Sequence, residues 1–194
     1  MHFWFGGTWE APQTVPDRMG FWFRASPGTD AAIRERFSRI MAQAAAGELG
    51  AWRQTPEGAL ALILLWDQFP RNLHRGTAAA FARDAAALKL CLALLDSGGE
   101  RALPPVGRVF VYMPLQHAED LALQDRGVAA YEALLRERGQ EEKALWEPFL
   151  GSAREHRAIV ARFGRFPHRN TALGRAPTEA EIAYLEGGGK TFGQ

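Results

Sequence analysis

The sequence predicts an all-α protein in which about seven or eight helices stack as antiparallel pairs. Apolar residues recur at spacings of three and four along most of the chain, which is the period of an amphipathic helix. Glycine and proline interrupt these segments at short intervals, and no segment has a visible partner strand. With 194 residues, of which 47% are hydrophobic, the chain can bury one core, so we expect a single domain over residues 1–194.

Residues 1–29 carry the triplet Phe-Trp-Phe twice, at residues 3–5 and 21–23. Two glycines and two prolines separate the triplets: Gly6, Gly7, Pro12 and Pro16. These residues exclude one continuous helix. Because aromatic side chains bury large areas, we expect this segment to dock on the helical body. The alternatives are that the rings stack on a ligand or contact a protein partner.

The first two long helices have boundary signals at both ends. Thr29-Asp30 can cap a helix that Gly47 ends. Its predicted inward face is Ile33, Phe37, Ile40, Met41 and Ala44. Thr55-Pro56 opens a second helix, which is predicted to end before Pro70 because proline disfavours helix at the preceding residue. Its apolar residues, which indicate burial on most sides, are Leu60, Ile63, Leu64 and Leu65.

The third helix is predicted to run from Thr77 to Leu95 and to end at the Ser-Gly-Gly of residues 97–99. Its predicted stripe is Phe81, Ala85, Leu88, Leu92 and Leu95. The apolar run at residues 106–113 fits a helix or a buried strand by periodicity alone. We assign it as a helix, because no partner strand is visible elsewhere.

A further helix is predicted after Pro114, with its end at residues 136–139. Its predicted inward face is Leu121, Gln124, Val128, Tyr131 and Leu135. Gly127 is a weak point in it, because glycine costs about 1 kcal/mol relative to alanine inside a helix. Residues 145–149 suggest a short helix or a turn.

The last part of the chain is predicted to hold two helices. The first covers residues 152–163 and ends at Gly164. Its predicted inward face is Ala153, His156, Ile159, Val160 and Phe163, in which the histidine is expected to be hydrogen-bonded in the core. Residues 177–181 form a capping box for a short helix that ends at Leu185. We expect a flexible tail over residues 187–194.

Composition limits the partners and the compartment. A formal net charge of +1 gives no broad electrostatic reason to expect nucleic acid or an anionic membrane. The only cysteine, Cys91, cannot form an internal disulfide, and its apolar helical setting predicts a buried, inert thiol. The N-terminus lacks the pattern of a signal peptide, and no apolar run reaches the length of a membrane span. We therefore expect a soluble cytoplasmic protein.

Two segments, residues 66–76 and 161–175, share a Phe-Pro step followed by Arg-Asn after an apolar helical run. Guanidinium groups bind phosphate or carboxylate through two parallel hydrogen bonds. The candidate ligand-binding residues are Arg71, Asn72, Arg75, Arg162, Arg165, His168, Arg169 and Asn170. The alternative is a structural network that fixes how the helices stack. In that case the acidic partners are Asp67, Asp84, Glu119 and Asp120.

His117, Glu119 and Asp120 form a candidate catalytic group near a predicted helix start. An imidazole and two carboxylates suit metal binding or acid–base work, if the fold brings further ligands such as His168 or Asp67. The alternative is that the carboxylates complement the helix dipole and the imidazole caps the helix. The spacing is not that of a His-Glu-x-x-His site, and no metal or cofactor is predicted.

These residues support three functions. The favoured one is a binding module whose cleft, lined by arginine and histidine, holds a small anion or an acidic peptide segment. One alternative is a metal-assisted hydrolase that uses His117, Glu119 and Asp120, with arginines stabilising developing negative charge. Another is a scaffold that binds a protein partner through the N-terminal aromatic residues. The residues alone leave open whether the protein is an enzyme.

The motifs follow one order over nearly the whole chain and resemble a mostly bacterial family known as domain of unknown function 924. The matching stretches are residues 3–6, 62–72, 81–84, 114–120, 162–170 and 173–175. The resemblance implies a fold similar to the tetratricopeptide-like helical superhelix, and it implies no activity. In the family a short helix precedes the first aromatic triplet, so we leave open whether residues precede Met1. The family also has a serine where this chain has Ala118, which argues against a functional hydroxyl there.

Overall fold

The computed structural model describes residues 1–7 and 14–193. In this part every regular element is helical, so the predicted all-α class is confirmed. The helices are α1 (His2–Phe5), α2 (Thr14–Phe23), α3 (Pro27–Ala46), α4 (Pro56–Ile63), α5 (Phe69–Leu73), α6 (Asp84–Ser97), α7 (Pro105–Gln116), α8 (Leu121–Arg136), α9 (Gln140–Phe163) and α10 (Glu179–Glu186). The prediction for Pro12 lies outside the described residues, and the tetratricopeptide-like arrangement stays a prediction.

The N-terminal aromatic residues pack into the main core. Trp4 and Phe5 of α1 are each 1% exposed, and the Trp22 indole N–H donates a hydrogen bond to the Trp4 carbonyl over 2.8 Å. These three rings meet Phe110 of α7 edge-on, with centroids 5.0 to 5.7 Å apart. Aromatic pairs in this geometry add stability beyond the area that they bury. The contacts join α1 and α2 to the centre of the fold.

Ser26 caps α3, because its hydroxyl accepts a hydrogen bond from the Thr29 N–H over 3.4 Å. The predicted cap at Thr29-Asp30 is therefore wrong. The reason is Pro27, whose fixed φ suits the first helical position and whose missing N–H is not needed there. The predicted end at Gly47 is confirmed, with the glycine in the left-handed conformation at φ 82°.

The second predicted helix does not end at Pro70. Instead, α4 passes into a π-helical turn, Leu64–Gln68, and then into α5. The Phe69 N–H donates to the Leu64 carbonyl, five residues earlier. This wider turn places Pro70 in the first turn of α5, where a proline ring and a missing N–H are tolerated. The same turn carries Asp67, which is fully buried.

The predicted helix start at Thr77 is wrong. Residues 78–80 form a 3₁₀ turn, and α6 begins at Asp84, where an acidic side chain complements the helix dipole. The buried stripe is rotated relative to the prediction and consists of Ala87, Leu90, Cys91 and Leu94. Ala85 is exposed. Both stripes have helical spacing and apolar residues, so periodicity alone could not choose between them. Burial raises the pKa of the Cys91 thiol, which fits the predicted inert cysteine.

Helix α7 is central, since every residue from Val106 to Gln116 is buried, and the helical assignment of residues 106–113 is confirmed. Gly127 of α8 lies against it. A Cβ at this glycine would lie 3.2 Å from Leu115 Cβ, so the residue predicted as a weak point permits the close approach of two helices. Leu121 was predicted to face inward, but it is 41% exposed in the first turn of α8.

Helix α9 is continuous where the prediction separated residues 145–149 from 152–163. Pro148 lies inside it and removes one backbone hydrogen bond. The carbonyl left without that bond belongs to Ala144, which is exposed and can be satisfied by solvent. The predicted end at Gly164 is confirmed, with φ 70°.

A second, smaller core cluster lies beneath α10. It contains Ile159, Val160 and Phe166, with partly buried aromatic rings packed around them. The predicted capping box is confirmed, because the Thr178 and Glu181 side chains each accept a hydrogen bond from the other residue's N–H. Among the helices in the described ranges, none combines the length and the apolar character required to span a bilayer.

Candidate functional site

A cavity of about 350 Å³ lies where the ends of α2, α5 and α7 meet the middle of α9. Apolar side chains form one part of its wall: Met19, Trp22, Phe23, Met113 and Phe149. Hydrogen-bonding side chains form another part: Gln68, Asn72, Gln116, His117, Ser152 and His156. An apolar wall facing a few polar groups is typical of small-molecule sites.

The centre of the polar wall is a contact between His117 and Asp67. His117 follows the last residue of α7, and its Nδ1 lies 2.7 Å from Asp67 Oδ1. Asp67 is brought to this point by the π turn, a feature frequently found at functional sites. Because Nδ1 is engaged by the carboxylate, Nε2 is the ring nitrogen left to meet a ligand.

Charge fixes the protonation of this pair. Burial alone would raise the pKa of Asp67, but Arg71 and the hydrogen bonds from His117 and Gln68 hold it well below its usual value. The carboxylate is therefore ionised. Burial and the charge of Arg71 lower the pKa of His117, although Asp67 opposes them. The ring is then neutral near pH 7, with its proton on Nδ1 and an acceptor lone pair on Nε2.

Asp84 joins the two Phe-Pro segments in space. Both of its carboxylate oxygens accept hydrogen bonds from Arg71 at 2.8 Å, and Arg169 Nη1 lies 3.5 Å from Oδ2. The Arg169 guanidinium is also stacked between Phe81 and Phe166, 4.6 and 4.5 Å from the ring centroids. Burial lowers the pKa of Arg169 to about 10, so it stays charged at pH 7.

Asn72 and Arg75 bind Asp30 of α3. Arg75 Nη1 lies 2.5 Å from Oδ2, and Asn72 Nδ2 lies 3.2 Å from Oδ1. Arg75 Nη1 also donates to the Asn72 carbonyl over 2.8 Å. These bonds hold both side chains at the edge of the cavity.

A separate network forms beyond the cavity. Glu119 accepts hydrogen bonds from Arg175 at 2.5 and 3.0 Å and from the Phe166 N–H at 2.8 Å. Arg165 donates to both carboxylate oxygens of Glu181, and Asn170 reaches one of them over 3.2 Å. Glu119 is one of the acidic partners named in the structural alternative, whereas Glu181 is not, and in both contacts an arginine pairs with a carboxylate.

The structure places the remaining predicted residues in different surroundings. Asp120 caps α8 through a hydrogen bond from the Leu123 N–H over 3.0 Å. Arg162 is exposed and lies over the rings of Phe163 and Tyr184. His168 lies beside Phe166.

The predicted catalytic group is not assembled. The carboxylates of Glu119 and Asp120 have the partners given above, and neither residue lines the cavity beside His117. Throughout residues 1–7 and 14–193, no group of three or more His, Cys, Asp or Glu side chains is placed to hold a metal ion.

Several cavity residues had no functional signal in the sequence. His156 is 3% exposed and its Nδ1 lies 2.8 Å from the Ser152 carbonyl, as expected for a core histidine, yet it also lines the cavity. Arg24 lies in no motif, and Gln68 lies within residues 66–76 but was not among the candidate binding residues. The Asp67–His117 pair joins residues that are 50 positions apart; the sequence offers Asp67 as one possible companion of His117, and the fold shows the contact.

Comparisons with known proteins identify relatives but no activity. The family model of a bacterial protein of unknown function (DUF924) matches residues 1–189. The solved structure of a protein of unknown function, ATU0120 from Agrobacterium tumefaciens, is 38% identical to this chain, with a TM-score of 0.77, and covers 93% of this chain and 99% of that one. Among curated proteins, none matches. The resemblance is thus confirmed, and the chain belongs to the DUF924 family of bacterial proteins.

Proposed function

We propose that the protein binds a small organic anion in this cavity. The observation that supports the proposal is the charge of the lining. Among the described residues that line the cavity, three are arginines, Arg24, Arg71 and Arg75, and none is acidic. A ligand therefore meets guanidinium groups and no carboxylate in a partly apolar cleft, where the attraction to an uncompensated charge is stronger than in open water.

The positions of the acidic partners show which of the three arginines carries uncompensated charge. Asp67, Asp84 and Asp30 pair with Arg71 and Arg75 but do not line the cavity. Arg24 is exposed after the end of α2, and its side chain has no hydrogen-bond or ion-pair partner within the described ranges. It is the guanidinium that is free to bind an anion.

Size and polarity define the ligand class. A cavity of about 350 Å³ is at the small end of the range for small-molecule sites, roughly 300–1,000 Å³. The apolar wall suits a compact hydrocarbon body, and His117 Nε2 can accept a hydrogen bond from a hydroxyl or amide group. We infer a small carboxylate or phosphate ester with an apolar part. The carboxyl end of an acidic peptide shares this chemistry.

Arg24→Glu is expected to weaken anion binding about tenfold or more, because it reverses the charge of the free guanidinium at the cavity. The probes are phenylacetate, hexanoate and phenyl phosphate, measured by thermal shift and by titration calorimetry. A probe at about 100 times its dissociation constant should stabilise the wild-type protein by roughly 2.7 kcal/mol. That corresponds to a midpoint shift of several degrees.

Arg39→Glu is the matched control, since Arg39 is exposed on α3 and does not line the cavity. It should bind the probes as the wild type does. The proposal fails if no probe binds the wild-type protein, or if both charge reversals weaken binding equally.

A second candidate function is acid–base catalysis by His117, which the contact with Asp67 favours. The carboxylate holds the Nδ1 proton, so Nε2 can accept a proton from a water molecule. In ester hydrolysis, the water oxygen would bond to the carbonyl carbon while its proton passes to Nε2. The bond to the alcohol oxygen would then break, and the imidazolium would return the proton to the leaving oxygen.

His117→Gln is expected to lower the hydrolysis rate of 4-nitrophenyl hydrogen succinate, an anionic ester, by about 100-fold or more. The release of 4-nitrophenol can be followed by absorbance from pH 6 to 8. His74→Gln is the control, because His74 is exposed after α5. A wild-type rate no higher than that of buffer, or an unchanged rate in the His117 variant, would eliminate this candidate.

A further inference from the structure

We propose that the part of the cavity over His156 is a subsite for an aromatic ring of the ligand, and that Phe192 of the chain's own tail occupies it until the ligand displaces it. This inference rests on the proposed function and narrows its ligand class to aromatic anions. It makes the tail an internal competitor for the site.

Phe192 shows the shape of the subsite. Its ring is stacked on His156, with centroids 3.6 Å apart and planes at 19°. The edges of Phe166 and His168 enclose it at 6.3 and 5.7 Å. Phe192 and the following Gly193 line the cavity, so the tail fills space that is continuous with the arginine-lined part.

The walls of this subsite are firmly held. His156 and Phe166 are 3% and 0% exposed, and the hydrogen bond between His156 and the Ser152 carbonyl fixes the plane of the imidazole. A fixed, flat, buried ring favours offset stacking with another flat ring over packing with a flexible alkyl chain. The subsite therefore selects for aromatic groups.

Two hydrogen bonds hold the tail, from the Gly189 N–H to the Tyr184 carbonyl and from the Lys190 N–H to the Tyr184 hydroxyl, each over 2.9 Å, but other features oppose its ordering. Three glycines follow α10 at residues 187–189, and glycine loses more conformational freedom than other residues when it is ordered. Phe192 has φ 55°, a left-handed conformation that bulky residues rarely adopt. The Lys190–Glu155 ion pair at 3.4 Å is between side chains that are 62% and 50% exposed, and such pairs contribute little. A ligand ring can replace Phe192, because its binding orders no glycine segment and requires no left-handed backbone.

Phe192→Ala is expected to tighten phenylacetate binding about fivefold or more, because the fraction of protein with an open subsite rises. Hexanoate carries the same carboxylate without a ring, and its affinity should change less than about twofold. Thr191→Ala, at an exposed neighbour on the same tail, should change neither. Titration calorimetry of the wild type and the two variants with both ligands gives all six values.

Gly189→Ala gives an independent way to displace the tail. A Cβ at this position would lie 2.4 Å from the Tyr184 ring and 2.6 Å from the Tyr184 carbonyl oxygen, so the tail must leave its path. This variant leaves every residue of the subsite unchanged and should also tighten phenylacetate binding. Unchanged or weakened phenylacetate binding in both variants would overturn the inference, as would equal gains for phenylacetate and hexanoate.

A peptide added in trans separates this inference from the proposed function. The peptide Gly-Gly-Gly-Lys-Thr-Phe-Gly-Gln, with the sequence of residues 187–194, should bind the full-length Phe192→Ala protein, and a peptide with alanine in place of phenylalanine should not. If the peptide binds but no anion does, the result supports the aromatic subsite and rules out the anion-binding function. If anions bind the wild type and Phe192→Ala with equal affinity and the peptide does not bind, the result supports the anion-binding function and rules out the subsite.

Discussion

Asp67→Ala is expected to lower the free energy of unfolding by about 3–5 kcal/mol, which would be the largest effect of any single change at this site. Asp67 is 0% exposed and pairs with Arg71 Nη1 at 3.0 Å and His117 Nδ1 at 2.7 Å. Alanine would leave the buried guanidinium with the backbone carbonyl of residue 67 and a single carboxylate, Asp84, which lies nearer to solvent. Urea unfolding followed by tryptophan fluorescence measures the loss.

Two controls test the cause of that loss. Glu132→Ala removes a carboxylate from an exposed pair with Arg154, and such pairs are worth about 1 kcal/mol or less. The double change Asp67→Leu with Arg71→Met replaces the buried pair by apolar groups and should recover much of the stability, since such exchanges are often neutral. The explanation fails if Asp67→Ala costs no more than Glu132→Ala, or if the double variant is no more stable than Asp67→Ala.

Signals that act within one or two turns of helix were sufficient to predict several boundaries. Thr55 caps α4 through a hydrogen bond to the Gly58 N–H, as its position before Pro56 predicts. Gly164 ends α9 because it reaches the left-handed conformation at low cost. Each signal involves residues that are neighbours in sequence, so it does not depend on the rest of the fold.

Pro70 shows where local signals fail. Its ring disfavours an ordinary α-helix over the preceding residues, but a π turn removes the conflict and the helix continues. The wider turn also directs Asp67 into the interior. A rare helix type, chosen by tertiary packing, therefore decides both the boundary and the centre of the candidate site.

The sequence predicts which types of residue form the candidate site better than it predicts how those residues are arranged. The residues alone leave open whether the two Phe-Pro segments meet in space, and the structure joins them through Asp84. Which arginines face the cavity depends on helix rotation, and short motifs do not encode it. Arg71 and Arg75 line the cavity, whereas Arg165 belongs to the network with Glu181.

Acidification from pH 7.5 to 5 is expected to lower the free energy of unfolding by about 3–5 kcal/mol, because buried histidines are neutral in the folded state. Burial lowers the pKa of His156 well below 6.5 and lowers the pKa of His168 to about 3. The unfolded chain takes up protons below its histidine pKa of about 6.5, and the folded state does not. At pH 5 each such histidine costs about 2 kcal/mol, and His117 adds to this in the same direction.

The pH range in which stability is lost distinguishes the histidines from the carboxylates, since both classes lose stability as the pH falls. A histidine whose pKa is lowered in the folded state reduces the free energy of unfolding as the pH falls below 6.5. Paired carboxylates such as Glu119, whose pKa is also lowered in the folded state, lose their contribution only below about pH 4.5. The change between pH 7 and 5 therefore comes from the histidines, with a contribution of the same sign from the Met1 amino group, whose pKa burial also lowers. Urea unfolding at pH 7.5, 6 and 5 measures it.

His168→Phe should reduce the change between pH 7.5 and 5 by about 2 kcal/mol, because it removes one of these proton acceptors from the unfolded chain. The substitution breaks no hydrogen bond to the buried Nδ1, which has no partner among the described residues. His74→Gln, at an exposed position, should leave the pH profile unchanged. A flat profile would mean that the histidines have equal pKa values in the folded and unfolded states, and a stability that rises toward pH 5 would mean that the folded state keeps its histidines protonated. In that state His117 would have no lone pair at Nε2 for a ligand or for a proton from water, so this measurement also tests the chemistry proposed for the cavity.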